Sequence, residues 1–307
     1  MARVTILMAT YNGERFLSDQ LNSFDCQTFS DWDLWVSDDG SSDNTKNILD
    51  NFQRAQEGRH FVRIMNGPQK GFVSNFLNLT LNCSSQSEYF SFSDQDDIWF
   101  DDKLQKAVEW LETIPDEVPA LYCSRTEIVG EDARSASPTV YSPLMTIVPS
   151  FSNALVQSIA GGNTMVFNKS AKQLLKDFGG NVDVPSHDWW LYLLVTGVGG
   201  KVFYDSEPSL CYRQHRRNVV GSNNSVAAMY SRFVKFLDGQ FKRYNEKNVY
   251  CLDENKSKLT PDNRQRLENF RLARANHGIK GLKYFRQSGA LRNGFMFNLA
   301  LYLGVLT

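Results

Sequence analysis

The stretch Ala9–Thr45, "ATYNGERFLSDQLNSFDCQTFSDWDLWVSDDGSSDNT", decides the fold class. It begins where the apolar run Val4–Met8 gives out, and its apolar residues Phe16, Leu17, Leu21 and Phe24 then recur at the spacing of one helix face. From Trp32 to Ser37 the pattern turns aromatic and apolar again, as in a buried strand, and it ends in the acidic turn Ser37–Thr45. A strand, a helix and a second strand in direct succession imply a mostly parallel sheet.

Working outward, further strands are predicted at Phe61–Met65 and Tyr89–Ser93, with helices at Phe16–Phe24, Thr45–Gln56 and Val73–Leu81. In open α/β sheets ligands gather at the carboxyl ends of the strands. Four segments therefore belong together: "ATYNGE" (Ala9–Glu14), "SDDGSSDNT" (Ser37–Thr45), "NGPQKGFVSN" (Asn66–Asn75) and "SDQDD" (Ser93–Asp97). A helix over Lys103–Thr113 and a strand at Ala120–Ser124 follow, and Ser124–Pro143 reads as a long loop or a distorted hairpin. Beyond it come a strand at Thr164–Phe167, a helix at Lys169–Asp177, a helix beginning at His187, and strands near Lys201–Tyr204 and Ser209–Tyr212. From Asn224 onward the pattern is helical, with a basic polar face and the apolar end "GFMFNLALYLGVLT". There is no internal repeat and no low-complexity segment.

With 307 residues, 42% of them hydrophobic, the chain can bury a large core. The net charge of −1 hides an asymmetry: Lys256–Thr307 carries ten Lys and Arg against two acidic residues, so a body of −9 bears a tail of +8. The acidic body argues against nucleic acid as a partner. Five scattered cysteines without a CxxC pair argue against a disulfide framework or a thiolate zinc site and fit a reducing cytoplasm. The opening "MARVTILMATYN" turns polar too early for a signal peptide and reads as a core strand.

The acidic segment "YFSFSDQDDIWFDDKL" (Tyr89–Leu104) crowds five aspartates behind an apolar strand. Mg²⁺ and Mn²⁺ take hard oxygen ligands, with one or two carboxylates sufficing when phosphates and water complete the shell. Asp94 and Asp96, with Asp97 adjacent, suit that arrangement, whereas Asp101 and Asp102 read as helix-capping acids. Asp38 and Asp39 close the Trp32 strand and are either turn residues or acceptors for the imide N–H of a pyrimidine. Tyr11 and Asn12 stand where a ring and polar contacts could meet the same base. Asp188 is a helix cap or a general base on a rigid helix end, with Trp189 and Trp190 as core. In "CYRQHRRN" (Cys211–Asn218), Arg213, His215, Arg216 and Arg217 matter if they converge on an anion and are otherwise solvated. Gly161–Gly162 lack side chains and are consistent with a turn or with a close approach to the backbone.

Taken in order, the Ala9–Thr45 stretch, "FSDQDDIW", "GGNTMVFN", "HDWWLYLL" and "YRQHRRNVVG" together resemble a family 2 glycosyltransferase with the GT-A nucleotide-sugar fold. "SDQDDIW" with the later "RQHRRNVVG" is most similar to bacterial rhamnosyltransferases of cell-wall polysaccharide and O-antigen assembly. The resemblance covers Arg3–Ser222 and implies a GT-A domain over 1–222, with a nucleotide-binding half (1–100) and an acceptor-binding half (101–222). A basic helical region, 223–307, follows. It also implies that Thr10, Tyr11, Asn12, Glu14, Asp38, Asp39 and Asp94 serve the nucleotide. Asp94–Gln95–Asp96 becomes a DxD motif for Mn²⁺ or Mg²⁺, with Asp96 as direct ligand and His215 beside it, and Asp188 becomes the catalytic base. Gly161, Gly162, Asn163, His187, Trp189 and Arg213 complete the expected substrate set. Two departures stand out: His187 replaces the Glu of the family's Glu-Asp pair, and "QHRRN" replaces the QxxRW of processive synthases, which favours addition of one sugar at a time.

The implied reaction is inverting transfer from dTDP-rhamnose, or from a UDP-hexose such as UDP-galactose, UDP-glucose or UDP-N-acetylglucosamine, to a lipid-linked or oligosaccharide acceptor. The basic tail and its apolar end suit the anionic inner face of a bacterial membrane, as a peripheral contact, because the run from Asn293 falls short of the ~20 residues that span a bilayer. Packing onto the catalytic domain or a homodimer contact are the other uses of that segment. Two further readings are a nucleotide-sugar-binding protein without chemistry, against which Asp188 and the DxD speak, and a sugar nucleotidyltransferase. The latter would want a glycine-rich loop where only Gly13 stands.

Overall fold

The computed structural model describes residues 2–133, 135–180, 182–215 and 240–306. One sheet organises them, in the strand order β3-β2-β1-β4-β8-β6-β9-β5 with β7 paired to β6. Its first half is parallel: β1 (Val4–Thr10) lies between β2 (Trp32–Asp38) and β4 (Tyr89–Ser93), and β3 (Val62–Asn66) adds outside β2. Each crossover is a helix: α1 (Leu17–Asp25), α2 (Thr45–Ala55) and α3 (Phe72–Asn82). α1 forms because Leu17, Leu21 and Phe24 share one face, all of it buried against the sheet while Ser18 and Asn22 stay in solvent. Each such side chain contributes roughly 2 kcal/mol of burial.

Beyond β4 the direction changes. The short β5 (Ile98–Trp99) and α4 (Lys103–Leu111) lead to β6 (Ala120–Val129), and β8 (Val166–Asn168) inserts antiparallel to both β4 and β6. β7 (Ser135–Tyr141) returns antiparallel on β6 with a register shift at Ile128/Val129, so of the two readings of Ser124–Pro143 the distorted hairpin is the one that forms. The two strands expected near Lys201–Tyr204 and Ser209–Tyr212 are one strand, β9 (Lys201–Arg213), parallel to β6. Register shifts between Ser124 and Glu127 absorb the Asp205–Pro208 interruption that suggested a break. The strand expected to start at Thr164 starts at Val166, because Gly162–Thr164 winds into a single 3₁₀ turn.

α5 (Phe151–Ala154), α6 (Lys169–Asp177) and α7 (His187–Gly197) follow. α7 is buried all round, as a helix this apolar must be, and lies in one continuous core with β6, α5 and the C-terminal helices. Those are α8 (Gln240–Glu254), α9 (Pro261–Ala275), α10 (Gly278–Ser288) and α11 (Phe295–Leu306). Leu252, Leu267, Phe270, Phe285 and Leu301 join this core. The first part of the helical region expected beyond Asn224, 224–239, lies outside the described residues. No helix among the described residues is long and apolar enough to cross a membrane.

Candidate active site

The four strand-end loops meet, and hydrogen bonds stitch them together. Thr10 Oγ1 donates to Asp38 Oδ2 (3.2 Å), and the Asp38 Oδ1 atom accepts the amides of Gly40 (3.2 Å) and Ser41 (2.8 Å). Asp39 reaches the next loop, with Oδ1 accepting from Gln69 N (2.6 Å) and Oδ2 from Gly71 N (2.9 Å). Asn12, in the left-handed region at φ 48°, donates its amide to Ser41 Oγ and accepts from Ser42 N, both at 2.8 Å. Glu14 receives Asn44 N (2.9 Å) on its carboxylate. These contacts leave the Tyr11 ring 58% exposed at the rim, free to present a face. Gln95, between Asp94 and Asp96, braces that rim by accepting from Tyr11 N (2.8 Å) and donating to Tyr11 O (3.0 Å).

The acidic turn after β4 is built differently. Asp94, Asp96 and Asp97 each present a carboxylate oxygen within 4.8 Å of the others. Burial, then the charges of Asp96 and Asp188, push the Asp94 carboxyl up to about 7, with Lys103 pulling the other way. Asp97 is driven well above the carboxylate range by burial and by its two neighbours. Carboxylates that repel each other in a desolvated turn fit a divalent cation, which would relieve that repulsion. Asp97 is the least available to one: it is fully buried, and its oxygens accept from Asn163 Nδ2 (2.5 Å) and Arg213 N (3.2 Å). Asp94 and Asp96 are the half-buried pair, and His215 Nε2 lies 2.7 Å from Asp96 Oδ2 with its ring against Phe16.

Asp188 heads α7 beside this turn. The Ser186 hydroxyl (3.5 Å) and Asp188 Oδ1 (2.6 Å) both accept from Trp189 N, so Asp188 also serves the end of its own helix. The Asp188 carboxylate accepts from Trp189 N (2.6 Å) and Gly162 N (2.9 Å), and burial, opposed by those backbone bonds, still lifts it to about 6. A carboxylate with that environment is poised to take a proton near neutrality.

Not every expected substrate residue lies open to a ligand. Trp189 is core, with its indole N–H on Ala154 O (2.7 Å). Arg213 is 2% exposed, and its guanidinium donates to Asp96 O (3.0 Å), Glu131 O (2.6 Å) and Asp19 Oδ2 (2.7 Å), so it holds the acidic turn in place. Asn163 is buried against Asp97. His187 is stacked on Phe76 (4.0 Å between centroids), its nitrogens have no hydrogen-bond partner among the described residues, and burial depresses it to about 3, so it is neutral. Gly161 and Gly162 border this region, and Gly162 is needed as glycine: an added Cβ would lie 2.5 Å from His187 Nε2. Arg216 and Arg217 lie outside the described residues.

Lys103 is the residue that sequence reasoning missed. It is fully buried, its Nζ donates to Asn163 O (2.6 Å) and lies 3.3 Å from the centroid of the Trp99 ring, and it shares its surroundings with Asp97 and Asp94. The one available signal was a lone cation closing an otherwise acidic run.

A sheet that is parallel up to β4, with its strand-end loops converging on an acidic turn and a helix-borne carboxylate, is the GT-A architecture of nucleotide-sugar glycosyltransferases. The chain belongs to glycosyl transferase family 2, whose model matches residues 5–175. It is similar to the dTDP-rhamnosyl transferase RfbG of Shigella flexneri, with 31% identity over 238 residues, 73% of this chain and 77% of that one. It is also similar to TuaG of Bacillus subtilis (strain 168), a glycosyltransferase named for teichuronic acid biosynthesis, with 24% identity over 237 residues, 75% and 86% of the two chains. Among solved structures it shares its fold with the mannosyltransferase PcManGT from Pyrobaculum calidifontis in complex with GDP-Man and Mn²⁺. There the TM-score is 0.53 at 18% identity, covering 99% of this chain and 82% of that one. The protein is a glycosyltransferase.

Proposed function

We propose that the protein transfers a single sugar, rhamnose in the first instance, from a dTDP- or UDP-sugar to a hydroxyl of a growing, lipid-linked bacterial surface glycan, with inversion at the anomeric carbon. The observation that carries this reading is that Asp188 accepts from Gly162 N (2.9 Å) in the 3₁₀ turn whose Asn163 holds Asp97, which sets Asp188 beside the Asp94–Asp96 turn. The choice of rhamnose leans on the similarity to a dTDP-rhamnosyl transferase.

In this mechanism the base of the donor stacks on Tyr11 above the Asp38–Asp39 end, and its pyrophosphate lies over the acidic turn. Asp94 and Asp96, with His215 beside them, would hold Mn²⁺ or Mg²⁺, which would supply Lewis-acid stabilisation of a diphosphate leaving group. Asp188 takes the proton of the acceptor hydroxyl from the opposite face, so that attack and departure are in line. The desolvation that lifts Asp188 also strengthens it as a base relative to a solvated carboxylate.

The acceptor is brought by the membrane. α11 leaves Phe295, Met296, Leu299 and Leu303 exposed beyond a tail with ten cations, a pairing that suits the anionic inner face of the cytoplasmic membrane. The helix has 12 residues, roughly 18 Å of rise, and would lie on that face without crossing it.

Wild type and Asp188→Asn, assayed with Mn²⁺ against dTDP-rhamnose, UDP-galactose, UDP-glucose and UDP-N-acetylglucosamine, test the proposal. Wild type is expected to turn over dTDP-rhamnose and the variant to bind dTDP without transferring. Turnover confined to another donor would replace the sugar. Activity unaffected by a chelator would remove the cation.

A further inference from the structure

We infer that Asn163 is a positioning residue for transfer, a clamp that holds the Asp188 carboxylate in register with the acidic turn after β4. The inference rests on the reading of Asp188 as the base.

Asn163 connects two parts of the site that are remote in sequence. Its side chain donates to Asp97 Oδ2 (2.5 Å) and its carbonyl accepts from Lys103 Nζ (2.6 Å), which fixes the 3₁₀ turn to the acidic segment. One residue earlier, the amide of Gly162 donates to Asp188 Oδ2 (2.9 Å). Among the described residues this is the hydrogen bond that ties Asp188 to an element other than its own helix. The turn cannot slide towards α7, because the Gly162 Cα packs against His187, itself stacked on Phe76 with Phe92 edge-on. Asn163, Asp97 and Lys103 are each at most 4% exposed, so water offers them no alternative partners.

Three buried polar side chains are not the cheapest way to fill that space, since well-packed apolar side chains of similar volume are often as stable or more so. What the trio supplies is a fixed distance. An in-line displacement requires the base and the leaving group on opposite sides of one carbon, and a misplacement of ~1 Å can lower turnover by ~10²-fold. Asn163 acts on that geometry through Gly162 and Asp97 and does not itself touch the sugar.

The test compares Asn163→Ala, Asn163→Asp and the exchange Asp97→Asn with Asn163→Asp. It measures kcat and donor KM, and by calorimetry the affinity for dTDP with Mn²⁺ in the absence of acceptor. Asn163→Ala is expected to lower kcat by ~10²-fold while donor KM and dTDP affinity stay within about threefold, a split that general unfolding would not give. Asn163→Asp sets two carboxylates face to face and is expected to be worse. The exchange restores an amide-to-carboxylate bond with the roles reversed and is expected to regain at least about tenfold in kcat over Asn163→Asp. The clamp is overturned by Asn163→Ala turning over within about threefold of wild type, or by an exchange that melts like wild type and recovers nothing. Where Asn163→Ala does not fold, the exchange alone decides. Asp188→Asn is run in parallel: if it is inactive while Asn163→Ala is active, the clamp alone fails, and if it retains turnover, the reading of the base fails and the clamp with it.

Discussion

Aspartates stand at the carboxyl ends of β2 and β4, on either side of β1, and the protein treats them differently. After β2, Asp38 and Asp39 are surrounded by donors: Thr10 Oγ1 and four backbone amides belonging to residues 40, 41, 69 and 71. After β4, Asp94, Asp96 and Asp97 face one another, with the buried Lys103 alongside, Asp97 held by Asn163 and the Arg213 amide, and His215 against Asp96. The first pair is held by protein donors and ties the loops after β1, β2 and β3 together. The second cluster has negative charge in excess of what its protein partners offset. A carboxylate's function is thus decided by what already binds it, and its position at a strand end is common to both.

The sharpest way to break this contrast is Asp188→Asn, which keeps the shape and removes the charge. It is expected to lower kcat by ~10³-fold with dTDP affinity unchanged. A comparable loss of affinity would place Asp188 with the binding groups. The matching experiment at the other end is Asp39→Ala, which strands the amides of Gln69 and Gly71 and should cost about 3 kcal/mol in thermal or denaturant unfolding, mostly as loosening of the β3–α3 loop. A variant as stable as wild type would mean that those amides find other partners.

The pH dependence separates the ends without mutation. Asp188, raised to about 6, works as a base only when ionised, so kcat at saturating donor and Mn²⁺ is expected to fall about tenfold from pH 7 to pH 5, half of its plateau being lost near pH 6. A bound cation favours the ionised form of Asp94, leaving this limb to Asp188. A flat profile over that range would remove the assignment. The smallest effect is expected at the rim, where Tyr11→Ala loses one stacking face worth ~1 kcal/mol and weakens dTDP about fivefold with kcat intact.

The alternation of buried strands with one-sided helices was legible because it is written in neighbouring residues. Val4–Thr10, Trp32–Asp38 and Tyr89–Ser93 are apolar runs of strand length, and strand ends in a parallel sheet mark the ligand side wherever they occur. That logic places Tyr11, Asp38 and Asp94 at one end of the sheet. It stopped at residues whose role depends on a distant partner. Arg213, read locally as a solvated cation or an anion ligand, is buried with Asp19, Glu131 and the Asp96 carbonyl. Asn163 and Trp189, expected near substrate, have Asp97 and Ala154 as partners. What the sequence could not show for Asp188 is the bond from Gly162 N, which ties the end of its helix to the 3₁₀ turn beside the acidic segment.

From the sequence alone followed the α/β class, the family resemblance and the edge of the sheet at which ligands would meet, since hydrophobic period and strand-end polarity are short-range properties of the chain. The tertiary structure decided which charges are neutralised by protein and which are left facing one another. Desolvation and Coulomb energy depend on distances in space, and here those are set by residues such as Lys103 and Asn163, 60 positions apart in the chain and in contact through one hydrogen bond.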